Sequence, residues 1–424
     1  MRRILLGIIA LVTFSILSLV LYSNNAQAIP VLARKYSTSC ATCHAPFPRL
    51  NATGEAIRLN GYKMPEGDEV YVKIEPVSMG AEAYKKVFPE AIWPSDIPYL
   101  PPISILVEGE VDVDAGGTKD SRTSFVFPKE LAILSLGSFG ENFSFFAELE
   151  FEEEEGEDLE TEIAAWLMWE DLFSGALGEN HLNIKAGKVG IQEIALPNNR
   201  GHNRITAENY LHEQKLDLHS QPGFEVNGFG QRWRYSLGIV DADSDNSEKD
   251  FYGALAFKIG GLGFDGSGGA SEEGGLKTSP SGYWRDDSVR FGVFAYRTYL
   301  GDDGNDEFTR IGGDIRVNYK DLSVAGGYIA GDDDSETIDQ DLWFAEAEYW
   351  IYPWVVTYVR YEALSVDGAD DEDQARLIPG AAFLIRANIK LTVEGRLYTE
   401  NEPAKEAGGE GDDDRVVFQL TWSG

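Results

Sequence analysis

Ile389-Lys390-Leu391-Thr392-Val393-Glu394-Gly395-Arg396-Leu397 alternates apolar with polar residues at a period of two. That period belongs to a β-strand, because successive side chains point to opposite faces. One face here is aliphatic and the other carries Lys390, Thr392, Glu394 and Arg396. The same alternation recurs at Phe143–Phe151, Trp233–Ile239 and Ile311–Tyr319. From Ile103 onward the chain is therefore read as strand after strand.

Two folds use such strands: a soluble β-protein with a dry core, or a transmembrane barrel with lipid outside and water inside. The segments run to about ten residues or more, a length that suits a tilted bilayer-crossing strand. Aromatic residues crowd strand ends, as in Tyr349-Trp350-Ile351-Tyr352-Pro353-Trp354, matching an interfacial girdle. After residue 28 no apolar run is long enough for a spanning helix. Short turns at Tyr319-Lys320-Asp321, Tyr352-Pro353-Trp354 and Arg386-Ala387-Asn388 alternate with longer acidic connections at Asp241–Asp250, Gly331–Asp341, Asp367–Asp373 and Asn401–Asp414. The pattern predicts an all-β outer-membrane barrel of about sixteen strands over residues 103–424, ending in Arg415–Trp422. Gly260–Asp287 is long where parity asks for a short turn, so an extra hairpin, giving about eighteen strands, is the alternative.

Ahead of the barrel the composition changes. Residues 1–28 read as a signal peptide: Arg2 and Arg3, an apolar run from Ile4 to Tyr22, then Ala26-Gln27-Ala28 as the cleavage pattern. Ten of the 17 prolines fall between Pro30 and Pro102. Asn51 is placed to cap a short helix over roughly 52–60, and Gly61 to end it. Residues 29–102 carry too little periodic apolar sequence for a core of their own. They are predicted to pack inside the barrel as a lumen plug and tether.

The segment holds the only two cysteines, in Cys40-Ala41-Thr42-Cys43-His44. C-x-x-C-H is the attachment pattern of a c-type haem: two thiols bond the porphyrin and His44 coordinates its iron. A plain disulfide or a redox dithiol is the alternative reading. A zinc site would need a second ligand pair, and no such pair exists in the sequence.

Pro30-Val31-Leu32-Ala33-Arg34, Cys40–His44, Phe47-Pro48-Arg49-Leu50-Asn51, Gly54, Arg58 and Asn60-Gly61-Tyr62 together resemble the N-terminal pattern of the fused monohaem cytochrome–porins, the outer-membrane iron oxidases of iron-oxidising bacteria. The resemblance covers about residues 29–64, and the barrel matches in architecture. It implies one covalent haem c, extracellular Fe(II) as electron donor, and a periplasmic c-type cytochrome or other carrier as acceptor. The chain would sit in the bacterial outer membrane, with its N-terminal segment entering from the periplasm.

Met64 is the first candidate for the sixth iron ligand, because it follows Gly61 closely and few methionines survive signal cleavage. Met79, Met168 and an open site are the alternatives; Trp166, Leu167 and Trp169 mark the Met168 strand as packed or lipid-facing. Arg34, Arg49 and Arg58 are candidate partners for the haem propionates, since a guanidinium forks onto a carboxylate. Arg234, Arg316, Glu346, Glu348, Glu394 and Arg396 are candidate lumenal charges that hold the plug. His181, His202, His212 and His219 lack metal-ligand spacing.

The formal net charge of −35, more negative once Arg2 and Arg3 are removed, argues against nucleic acid as a partner. The acidic loops offer carboxylates that concentrate cations, or serve simply as solvated loops. The reading is an electron conduit and oxidoreductase. A passive porin carrying a periplasmic haem domain, or electron export to an extracellular acceptor, would use the same parts.

Overall fold

In the computed structural model, the described residues are 31–65, 77, 82–92, 101–114, 123–140, 142–152, 160–173, 176–191, 205–207, 220–241, 249–268, 270–271, 277–278, 283–300, 306–333, 338–367, 373–401 and 414–424. The signal peptide, Met79, His202, His212, His219 and most of the acidic loops lie outside them.

Sixteen antiparallel strands close into one barrel. The first eight are β1 (Ile103–Asp114), β2 (Thr123–Phe139), β3 (Phe143–Glu152), β4 (Glu160–Trp169), β5 (Asn183–Val189), β6 (Gln221–Phe229), β7 (Trp233–Val240) and β8 (Asp250–Gly260). After the tiny β9 (Ala270–Ser271) and β10 (Lys277–Thr278) come β11 (Ser288–Leu300), β12 (Asp306–Tyr319), β13 (Leu322–Asp333) and β14 (Ile338–Tyr352). The barrel finishes with β15 (Val355–Asp367), β16 (Gln374–Arg386), β17 (Ile389–Asn401) and β18 (Arg415–Ser423), which pairs back onto β1. Closure leaves no unpaired sheet edge, which a strand protein in lipid requires.

Alternation along the strands separates the two candidate folds. Lys390, Thr392, Glu394 and Arg396 are buried inside, as are Arg234, Arg310, Arg316, Glu346, Glu348, Arg360 and Glu362. Phe224, Leu237, Ile239, Phe251, Ile259, Ile311 and Ile315 face outward and are exposed. A soluble sandwich would bury the second set and expose the first. A polar interior within an apolar outer surface is the arrangement of a membrane barrel. Around the end where the chain enters and leaves the barrel, Phe143, Trp169, Tyr319, Tyr349, Tyr352, Trp354 and Trp422 stand exposed as an aromatic rim.

The Gly260–Asp287 expectation resolves in favour of sixteen. β9 and β10 pair only with each other and stand apart from the barrel sheet. The connection is long because its first part folds back: Phe264 is buried with Phe229 and Ala256, and Leu59 of the N-terminal segment packs on that cluster.

That segment forms α1 (Val31–Tyr36), a 3₁₀ turn over Cys40–Thr42 and α2 (Ala52–Leu59), with α3 (Glu82–Val87) further on. Asn51 caps α2, its side-chain oxygen accepting from the Gly54 amide at 2.9 Å. Gly61 follows at φ +63°, and a Cβ there would lie 1.8 Å from Glu170 Oε1. Residues 31–65 pack against inward-facing side chains at the barrel end where β1 begins and β18 ends. The Val31 amide donates to Ser104 Oγ at 2.8 Å, and Lys63 pairs with Glu170 at 2.5 Å.

Candidate functional site

The turn that carries the cysteines is built by its own short-range bonds. Ser39 accepts from the Ala41 amide at its start, and the His44 amide donates to the Cys40 carbonyl at 2.9 Å. Asn51, besides capping α2, donates through Nδ2 to the Ala41 and Thr42 carbonyls, each at 3.2 Å. One side chain thus welds the 3₁₀ turn to α2. Gly54 is required by that contact, since a Cβ would lie 2.0 Å from the Cys43 carbonyl oxygen.

Cys40 and Cys43 stand as separate thiols, with Cys40 buried. Burial pushes the Cys43 thiol up to about 12, with Cys40 beside it adding to the rise. His44 donates through Nδ1 to the Pro48 carbonyl, 2.8 Å away. Burial lowers its pKa to about 4 against the opposing pull of the Pro48 and Arg49 backbone, so the imidazole is neutral at ordinary pH. A neutral ring facing a carbonyl through Nδ1 carries its proton there, which leaves Nε2 with a free lone pair.

Cys43 and His44 open onto a lumenal cavity of about 330 Å³. The segment contributes Leu32, Phe47, Leu50 and Ile57 to its wall; the barrel contributes Leu106, Leu134, Trp166 and Met168. Tyr62 stacks on Trp166 with ring centroids 5.9 Å apart, joining the two contributors. The volume is within the usual range for a ligand pocket. Its wall is mixed, the apolar groups sharing it with charged side chains such as Arg58, Glu148, Lys185 and Glu225. The Cys43 thiol, the His44 imidazole and the apolar share of the wall suit a covalently held haem, while the Cys40 thiol is buried and does not itself border the cavity. Among the described residues there is no cluster of three His, Cys, Asp or Glu suited to a bare metal ion.

The other expected site residues divide. Arg58 lines the cavity. Arg34 donates to the Ile103 carbonyl, and Arg49 pairs with Glu348 while lying over the Trp350 ring at 5.6 Å. Both arginines therefore fasten the segment to the barrel. Met64 is closed into an apolar cluster with Tyr36 and Ile57, and the cavity wall does not include it. Met168, whose strand the sequence suggested to be packed or lipid-facing, points into the lumen beside Ala164 and is only 4% exposed. His181 sits in an exposed turn, its Nδ1 on the Leu177 carbonyl.

Of the expected lumenal charges, Arg234 reaches Glu55 at 2.9 Å and Glu348 takes Arg49. Arg316 backs this pair, 3.4 Å from both Glu346 and Glu348. Glu394, with Arg396 beside it, instead holds an inward excursion of the chain. Its Oε2 accepts from the Ala207 amide at 2.9 Å and from the Tyr358 hydroxyl at 2.8 Å. Arg360 donates to Thr206 Oγ1 at 2.7 Å. Residues 205–207 are thus tied inside the barrel, and Thr206 borders the same cavity.

Sequence reasoning passed over Glu55 and Thr206, and used Trp166 only to place the Met168 strand. Glu55 and Trp166 had a usable signal in strand and helix parity; Thr206 had none.

No family model matches this chain, and no curated protein matches it. Among solved structures, it is similar to a loop-L8 deletion mutant of OmpT, an outer membrane protein of Vibrio cholerae. That likeness has 11% identity and a TM-score of 0.48, covering 76% of this chain and 98% of that one. Salmonella typhi OmpF in complex with daunomycin is similar at 11% identity and TM-score 0.48, covering 76% and 97%. A mutant of Rh. blastica porin is similar at 12% identity and TM-score 0.45, covering 76% and 99%. By its own closed strand order and its inside-out polarity, the chain has the fold of a sixteen-stranded outer-membrane porin.

Proposed function

We propose that this chain is an outer-membrane electron conduit that carries one covalent haem c in the barrel lumen. It takes electrons from extracellular Fe(II) and passes them to a periplasmic c-type cytochrome or comparable carrier. The observation that carries this reading is that Cys43 and His44 open onto a lumenal cavity, with His44 Nδ1 already committed to Pro48. Cys40 and Cys43 would hold the porphyrin through thioether bonds, His44 Nε2 would ligate the iron, and Arg58 would face a propionate. Bound there, the haem supplies reversible one-electron transfer.

The chain's own residues then have three tasks. Arg49–Glu348, Glu55–Arg234 and Lys63–Glu170 fix the segment to the barrel. Leu32, Phe47, Leu106 and Leu134 supply apolar wall to the cavity. The acidic excess of the chain draws cations toward the surface. A redox group inside the barrel lies between the two aqueous sides, which one outside the apolar band of about 25 Å does not. The N-terminal segment enters from the periplasmic side, where an even strand number returns both ends of the barrel.

The test is to add Fe(II) to outer-membrane preparations and follow the visible spectrum. Reduced haem bands that appear with the purified protein, and vanish in Cys43→Ala, support the conduit. A haem-stained band confined to soluble periplasm, or bands unmoved by Fe(II), would reject it. Large single-channel currents from the intact chain would favour the passive porin.

A further inference from the structure

Met168 presents a thioether to the cavity that Cys43 and His44 share, and it does so from the opposite partner, the barrel wall. Resting on the haem reading above, we propose that Met168 is the distal axial ligand of the iron, so that segment and barrel each supply one ligand.

Strand parity puts it there. β4 pairs with β3 so that Ser144 faces Met168, Phe146 faces Trp166 and Glu148 faces Ala164. Ser144, Glu148, Ala164 and Met168 are all buried inside, whereas Leu167 and Trp169 are exposed on the outer surface. The sulfur is also oriented. Asn227 Nδ2 lies 3.8 Å from Met168 Sδ, a distance at which a thioether accepts a weak hydrogen bond. Asn227 is itself held: its Oδ1 accepts from Asn183 Nδ2 at 3.1 Å, and its Nδ2 donates to Glu225 Oε1 at 2.8 Å. A sulfur fixed on one side by a supported amide keeps a lone pair for a metal on the other. Such outer contacts are how proteins orient ligands.

The competing donors are committed elsewhere. Met64 is 2% exposed within the cluster of Tyr36 and Ile57 and does not border the cavity. Lys185 pairs with Glu225 at 2.8 Å and lies over Trp166. Met168 is the one methionine among the described residues of this wall. A thioether trans to histidine raises the potential relative to a second nitrogen ligand, which suits uptake of electrons from Fe(II).

The experiment uses the full-length, haem-loaded chain in detergent, with correct folding checked by heat-modifiable migration. The wild-type ferric spectrum should show the weak far-red charge-transfer band of a sulfur ligand. Met168→Ala and the size-matched Met168→Leu should lose it and bind carbon monoxide once reduced. Met168→His should replace it with a low-spin bis-histidine spectrum, and Met64→Ala should keep it. Retention of the band in Met168→Leu, its loss in Met64→Ala, or a haem-bearing wild type without any sulfur band would overturn the ligand while leaving the conduit standing. A wild type that carries no covalent haem would overturn both.

Discussion

Glu55 Oε1 lies 2.9 Å from Arg234 Nη1 and 3.6 Å from Arg290 Nη1, so a carboxylate of the N-terminal segment is seated between two guanidinium groups of the barrel wall. Burial alone pushes the Glu55 carboxyl up, but Arg234, Arg290, Lys258 and Arg58 together pull it well below its ordinary value of 4.5. Breaking such a pair from one side leaves cations buried without their counter-charge, at a cost on the order of 3 kcal/mol. Glu55→Gln should therefore loosen residues 31–65 without opening the sheet. Limited proteolysis that cuts the variant's segment while sparing its barrel is the expected result; wild-type resistance would refute the anchor.

The same carboxylate sets a pH dependence. A folded pKa below the unfolded one contributes stability that is present above the unfolded value and lost as pH falls through the folded one. With Glu55 depressed, segment attachment should persist through pH 4.5 and weaken only in stronger acid. Proteolytic release measured down the acid series should show that late loss in the wild type. Glu55→Gln should already be loosened at neutral pH and lack this contribution to the acid response.

Burial makes a claim about the order of assembly. Cys40 is 4% exposed and the Cys43 thiol is pushed up to about 12, so neither is a ready nucleophile once the segment is seated. Attachment of haem should thus precede docking in the barrel. Haem-free protein folded in detergent should react slowly with a maleimide and rapidly after denaturation. Equal rates in both states would show that the cysteines remain open in the folded chain.

The barrel was legible because lipid and lumen impose opposite demands at every second residue. Ile389 through Leu397 carries that demand without a break. The Met168 strand is both packed and lipid-facing, and parity separates the two: Glu160, Glu162 and Met168 share one face of β4, while Ile163, Leu167 and Trp169 share the other. Arg34 and Arg49 have the right chemistry for propionates, but their partners, Ile103 and Glu348, lie 69 and 299 residues away. The inward excursion at 205–207 has no period at all. Its hydrogen-bond partners, Arg360 and Glu394, are 154 and 187 residues distant, a relation that no local pattern encodes.

Removing the segment should turn the barrel into a pore. Residues 31–65 are held to the inner wall by Arg49, Glu55 and Lys63, and Leu59 packs on the buried cluster around Phe264. With residues 29–90 deleted, Arg234, Arg290, Arg316 and Glu348 would line water instead of protein. The sheet itself loses no strand pairing, because all sixteen strands begin at or after Ile103. The deletion variant should insert into planar bilayers and give large, long-lived conductance steps, against little current through the intact chain. Glu55→Gln should fall between the two, with brief openings as the loosened segment leaves and returns. Conductance identical in the intact and deleted chains would place the current path outside the space the segment fills, and would remove its role as a plug.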